Sequence, residues 1–237
     1  MQLSQFKALS FDCYGTLIDW EVGLTRALEP LRSQVAVSQA DLLEAFGDIE
    51  HKVELERPGA RYSELLTIVH ARLAQRFGAP ANENAARDFG QSVGDWPAFA
   101  DSADALRYLK RHFELIILSN VDRASFAQSN ARLGVEFDHI FTAEEIGSYK
   151  PALRNFDYML DRLGEAGIGK NHLLHTAQSL FHDHVPANRL GIASAWIDRR
   201  HDKAGSGATV LPDPMPHVDF RFTSLGEMAA AHRAEQG

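Results

Sequence analysis

Phe6-Lys-Ala-Leu-Ser-Phe-Asp12-Cys-Tyr-Gly-Thr-Leu-Ile18 is the stretch that decides the fold. Phe6 to Phe11 reads as a short apolar strand that ends on Asp12, and Gly15 lets the backbone turn tightly just beyond it. The chain resumes this character only after Pro97. From there helices expected at Ser102 to Arg111, Asp122 to Leu133 and Ala152 to Leu163 alternate with strands at Glu114 to Ser119, His139 to Thr142 and His172 to Ala177. A turn of helix near His184 to Leu190, a strand at Ile192 to Ile197 and a last strand at Val218 to Phe222 follow. Strands alternating with helices predict a parallel α/β sheet covered on both faces. Right-handed crossovers then bring the C-terminal ends of the strands to one edge, where such folds bind ligands.

Between Ile18 and Pro97 the periodicity is helical. Leu24, Ala27, Leu28 and Leu31 share one face, as do Leu42, Ala45, Phe46 and Ile49, and then Leu65, Leu66, Val69 and Leu73. Pro30 predicts that the first helix bends or ends early, and Pro58-Gly59 and Gly78-Ala79-Pro80 separate the others. The expected organisation is a core from residues 1–18 and 97–237, with residues 19–96 forming an inserted helical-bundle cap. The Gly- and Pro-rich stretch Asp202 to Pro216 reads as a long surface loop.

Composition narrows the function classes. Of 237 residues, 45% are hydrophobic and 24% charged, which are ordinary globular values. A net charge of −8 disfavours a nucleic-acid partner, which needs clustered Lys and Arg. The longest apolar runs, such as Leu115 to Leu118, are too short to span a membrane, and no secretory leader opens the chain. A single cysteine excludes an internal disulfide framework and fits a reducing cytoplasm. Small molecules remain the expected partners.

Asp12 ends the first strand, Ser119-Asn120 ends the second core strand, Lys150 precedes a helix, and Asp183 follows the strand at His172 to Ala177. All four are therefore expected at one rim of the sheet. The motifs around them resemble those of the haloacid dehalogenase superfamily: Phe11-Asp-Cys-Tyr-Gly-Thr-Leu17 the first, Leu118-Ser-Asn120 the second and Tyr149-Lys-Pro151 the third. Gln178-Ser-Leu-Phe-His-Asp183 stands where the fourth belongs. The resemblance implies a Rossmann-like core and a hydrolase with Asp12 as covalent nucleophile. On that reading Lys150 keeps Asp12 ionised, lowering its pKa, and Thr16 fixes its rotamer. Ser119 and Asn120 offer donors to a substrate carboxylate or to developing charge, and Asp183 orients or deprotonates the hydrolytic water.

Departures from the superfamily pattern select the reaction class. Its phosphatases carry a second Asp two residues after the nucleophile, where this chain has Tyr14, and an acidic pair for magnesium, where the first member here is Gln178. The resemblance therefore implies no metal and no other cofactor, because magnesium prefers anionic oxygen. Tyr14 resembles the 2-haloacid dehalogenase branch, whose aspartate displaces halide from an α-carbon. That branch has a halide-binding cap arginine, and none stands around Phe46-Gly-Asp48. Within the branch the likeness is strongest to azetidine-2-carboxylate hydrolases. It runs through Asp12 to Trp20, Trp96-Pro-Ala-Phe99, Gly134 to His139 and Gly147 to Lys150.

An amine leaving group needs acceptors or an aromatic face rather than an arginine. Tyr14, Trp20, Phe46 and Tyr149 are the expected walls, and Cys13 and Gln178 the other residues bordering the substrate. (S)-2-haloacid dehalogenase, small-molecule phosphatase and non-catalytic binding module stand as successive alternatives. An arginine entering the pocket from Arg57 or Arg61 would favour the halide. Cys13 has no nearby base signature and reads better as buried filler than as a nucleophile. Asp183 could instead cap the following helix. His172, His175, His182 and His184 lack the spacing and the acid that a zinc set needs, so no metal is expected there. A homodimer is implied by the branch alone.

Overall fold

The structure is a computed structural model that describes residues 1–202 and 211–237. Six strands form one sheet: β1 (Ala8–Phe11), β2 (Glu114–Ser119), β3 (His139–Thr142), β4 (Leu173–Ala177), β5 (Ala193–Ile197) and β6 (Phe220–Phe222). Their order is β3-β2-β1-β4-β5-β6, and every neighbouring pair is parallel. The Asp12 strand is therefore central, with the chain crossing to one side after β1 and to the other after β3. Strands buried on both faces explain the unbroken apolar runs. Leu9, Phe11, Leu115 and Ile117 enter one hydrophobic cluster, while Ala8, Ile116, Leu118 and Leu173 enter a second on the opposite face.

Four helices separate β1 from the rest of the sheet: α1 (Trp20–Arg32), α2 (Gln39–Glu56), α3 (Tyr62–Phe77) and α4 (Glu83–Gly90). The chain leaves and returns side by side. Ile18 bridges Ala98, and the Asp19 amide donates to the Pro97 carbonyl at 2.8 Å. The Trp96 ring lies against Gly23 of α1, where a Cβ would fall 2.3 Å from it, so this contact requires glycine. The remaining helices are α5 (Ser102–Leu109), α6 (Arg123–Leu133), α7 (Ala143–Ile146), α8 (Leu153–Glu165), α9 (Val185–Leu190) and α10 (Leu225–Gln236).

Differences from expectation have local causes. Helix α1 continues two residues past Pro30, because a proline in the last turn removes only one hydrogen bond of the ladder. β1 begins at Ala8 rather than Phe6, and β6 at Phe220 rather than Val218. Pairing nevertheless reaches beyond both, through the Lys7 amide on His172 and the Asp219 amide on Ser194. Of the expected loop Asp202 to Pro216, residues 203–210 lie outside the described residues, and 211–216 form neither helix nor strand. Among the described residues no helix is long and apolar enough to cross a membrane.

Candidate active site

Asp12 follows β1 directly, and its carboxylate is held from two sides. Lys150 Nζ donates to Oδ1 at 2.8 Å and Thr16 Oγ1 to Oδ2 at 2.7 Å. Thr16 in turn accepts from the Gln178 amide at 2.9 Å. The positive φ of Gly15, 95°, makes the turn that brings Thr16 back onto Asp12. Arg199 secures the same turn from below: its guanidinium donates twice to the Thr16 carbonyl, pairs with Asp101 and covers the Phe99 ring.

Lys150 is 2% exposed and serves both carboxylates, reaching Asp183 Oδ1 at 2.7 Å and the Leu118 carbonyl at 3.0 Å. Its backbone is clasped by Asn120, whose side chain donates to the Lys150 carbonyl and accepts from the Lys150 amide. Asn120 thus borders the cavity chiefly as the residue that positions the lysine, rather than as a free donor. Ser119 Oγ is buried with no protein partner, and it lines the same cavity.

Asp183 lies in a single turn of π-helix, Leu180–His184. Its Oδ1 also accepts from His175 Nε2 at 2.9 Å, and His175 Nδ1 meets Ser10 Oγ at 2.8 Å. Because an ionised carboxylate only accepts, Nε2 carries the proton in this contact. Oδ2 is buried and unpartnered. The side chain caps no helix, since α9 starts from His184 without a side-chain cap, and the capping alternative is thereby set aside. Burial raises the pKa of Asp183, but Lys150 and His175 overcome it and hold the carboxyl well below the usual range. Asp12 moves the other way: burial raises it, with Lys150 and Thr16 opposing only in part. The expected lowering of Asp12 is therefore corrected, because one ammonium divides its field between two buried anions and Asp183 has the histidine besides.

A cavity of about 540 Å³ opens over these groups. From the core it is lined by Asp12, Tyr14, Ser119, Asn120, Lys150, Gln178 and Asp183, and from the cap by Trp20, Glu44, Asp48, Glu50, His51, Lys52, Glu54 and Tyr62. Tyr14 turns its ring edge to Trp96 and its hydroxyl to Ser129 at 2.8 Å. Two expected walls and one expected bordering residue lie elsewhere. Phe46 is wholly buried behind Trp20, against Phe89, because the helical stripe that suggested it is the cap's own core. Tyr149 points to the cap backbone and donates to the Ala60 carbonyl at 2.9 Å. Cys13 faces the hydrophobic core, as alternation along a strand demands, and burial pushes its thiol up.

The cap's contribution is acidic. Glu50 and Glu54 are one helical turn apart on α2, and Tyr62 Oη donates to Glu50 at 2.5 Å. Burial pushes Glu50 up to about 7, and burial together with the neighbouring Glu50 charge pushes Glu54 well above its ordinary value. Among the described residues no arginine lines the cavity: Arg57 is exposed, and Arg61 pairs with Glu144 outside it. Sequence reading missed this pair. Its signal is the recurrence of acid four and eight residues after buried Phe46, on a face that periodicity assigns partly to the interior. A magnesium ion of the superfamily's phosphatase type does not fit the nucleophile end. Gln178 is neutral, and the ammonium of Lys150 already bridges the two carboxylates that would ligate it.

(S)-2-haloacid dehalogenase of Pseudomonas putida is 29% identical over 106 residues, 44% of this chain and 45% of the relative. The (S)-2-haloacid dehalogenase of Pseudomonas sp. (strain YL) is 29% identical over 147 residues, 59% of each. The chain thus spans about half the length of the curated relatives it matches. The L-2-haloacid dehalogenase of Xanthobacter autotrophicus superposes with a TM-score of 0.78 at 19% identity, over 96% of this chain and 98% of that one. A further structure of that enzyme carries covalently bound chloropropionic acid. At such identity the likeness establishes the fold. The profile of the family described as haloacid dehalogenase-like hydrolase matches residues 6–174, most of the chain, and the chain belongs to that family.

Proposed function

We propose that the protein hydrolyses a small 2-substituted carboxylic acid by substitution at its α-carbon, with L-azetidine-2-carboxylate as the substrate. Asp12 Oδ attacks the α-carbon as the ring C–N bond breaks, and the electron pair leaves with nitrogen. The protonated ring amine departs as a neutral amine that stays tethered to the product. Water then adds to the carbonyl carbon of the aspartyl ester, releasing a 2-hydroxy acid and regenerating Asp12. Ser119 Oγ and Lys150 supply the positive side of the pocket for the substrate carboxylate. The unpartnered Asp183 Oδ2 orients the water. Held so far below the usual range, this carboxylate is a weak base, and orientation is the role that suits it.

The observation that carries the choice of substrate is the cap wall: Glu44, Asp48, Glu50 and Glu54 line the cavity, and no described arginine does. Against those four carboxyl groups the wall carries one ammonium, Lys52, so its net field disfavours a departing halide and favours an azetidinium nitrogen, which also gains from the face of Trp20. The second reading, (S)-2-haloacid dehalogenase, is supported by the activity named for the sequence relatives.

The test is turnover of azetidine-2-carboxylate against 2-chloropropionate in the presence of a chelator, with a single turnover in oxygen-18 water. The expected outcome is azetidine opening, label in the Asp12 peptide, and loss of both on Asp12→Asn. Chloropropionate turnover alone would favour the second reading. Abolition by the chelator would overturn the metal-free mechanism.

A further inference from the structure

We propose that His51, Glu54 and His182 form a binding site for a zinc-type transition-metal cation, spanning cap helix α2 and the π-helical turn of the core. One ligand atom from each residue lies within 4.8 Å of the other two. Tetrahedral ligation at about 2.0–2.2 Å asks for ligand atoms about 3.4 Å apart, a contraction that rotation of the exposed His51 side chain toward the other two supplies. His51 and Glu54 are three residues apart on α2, a spacing that presents both on one helix face.

The far side of one ligand is already held: Ser179 Oγ meets His182 Nδ1 at 3.1 Å, which leaves Nε2 as the ligating nitrogen. Such outer partners orient the ligands of known metal sites.

Donor type selects the ion. Two imidazoles and one carboxylate suit zinc and its neighbours, while magnesium and calcium require an oxygen shell. Three protein ligands leave a fourth position open toward the cavity. The sequence alone does not suggest the set, because His182 finds its acid and second imidazole on an element more than a hundred residues earlier. A bound cation ties α2 to the core along the cavity wall and occupies Glu54. Zinc is therefore expected to close the pocket reversibly rather than to take part in the reaction, a consequence that the binding test below does not depend on.

Isothermal titration of the full chain with zinc chloride tests the site. One equivalent is expected to bind with micromolar affinity, and His51→Ala and His182→Ala are each expected to weaken it by about tenfold or more. His51 is exposed, so its variant folds irrespective of the outcome. His112→Ala provides the control, because His112 packs on His232 of α10, a close histidine pair that does not line the cavity. Unchanged affinity in both His51→Ala and His182→Ala, loss in His112→Ala, or no binding at all would overturn the proposal.

Discussion

Lys150 places one ammonium between two buried carboxylates, and the pair responds in opposite directions. Asp183, with a histidine behind it, is pulled down, while Asp12, with only a threonine, is raised by burial. A raised carboxyl is the more basic and therefore the stronger nucleophile once ionised. Removing the lysine leaves both anions without a counter-charge in the interior. Lys150→Met is expected to cost about 3–5 kcal/mol, read from urea denaturation, and to abolish turnover. Glu50 titrates in the working range, since burial pushes it up to about 7. KM for a cationic substrate should fall as pH rises through that value, and Glu50→Gln should flatten the profile. The stability effect has the opposite sign. A carboxyl raised above its unfolded value of about 4.3 stabilises the fold below that pH, and its contribution is lost as pH rises through about 7. Glu50→Gln is therefore also expected to raise the melting temperature at pH 8.

At the scale of elements, termini and turns do most of the positioning. Helix α6 begins on Asp122, whose Oδ1 accepts from the Ser125 amide at 2.8 Å, while Oδ2 reaches the Ser63 amide of α3 at 3.3 Å. One side chain thus caps a core helix and meets a cap helix. Asp122→Ala should cost about 1 kcal/mol for the lost cap, measured by thermal unfolding. It should also raise KM, which loss of a helix cap remote from the cavity would not do. Most of these elements are legible in the sequence: β2, β3 and the start of α5 fall where period and flanking residues place them. The π-helical turn was not. A five-residue turn carries too little periodicity to separate it from the α9 helix it leads into, yet it is what aims Asp183 at Lys150.

For the whole molecule, the decisive relation is cap over core. The segment joining α2 and α3 is tied down by the Tyr149 hydroxyl on Ala60, by Arg61 on Glu144 and, two residues further, by Ser63 on Asp122. The Arg61 pair is exposed and contributes little. The Tyr149 bond is partly buried and worth about 1 kcal/mol. Tyr149→Phe is accordingly expected to speed amide exchange in α2 and α3 by about fivefold and leave the β-sheet unaffected. Hydrogen exchange resolved by segment checks both halves of that statement.

Asp12 and Ser119 could be placed from the chain alone because one follows a strand end directly and the other ends a strand, while Thr16, Lys150 and Asp183 were found through motifs that resemble those of a known superfamily. A strand that terminates at residue 11 must present residue 12 at the sheet edge, whatever surrounds it. The acidic wall of Glu50 and Glu54, the His175 relay behind Asp183, the retreat of Phe46 into the cap core and the reversed shift of Asp12 belong to the tertiary structure. Helical periodicity marks which face of α2 is buried, but not whether another helix or a cavity lies against it. Burial and shared counter-charges arise only when distant segments meet, so no local pattern encodes them.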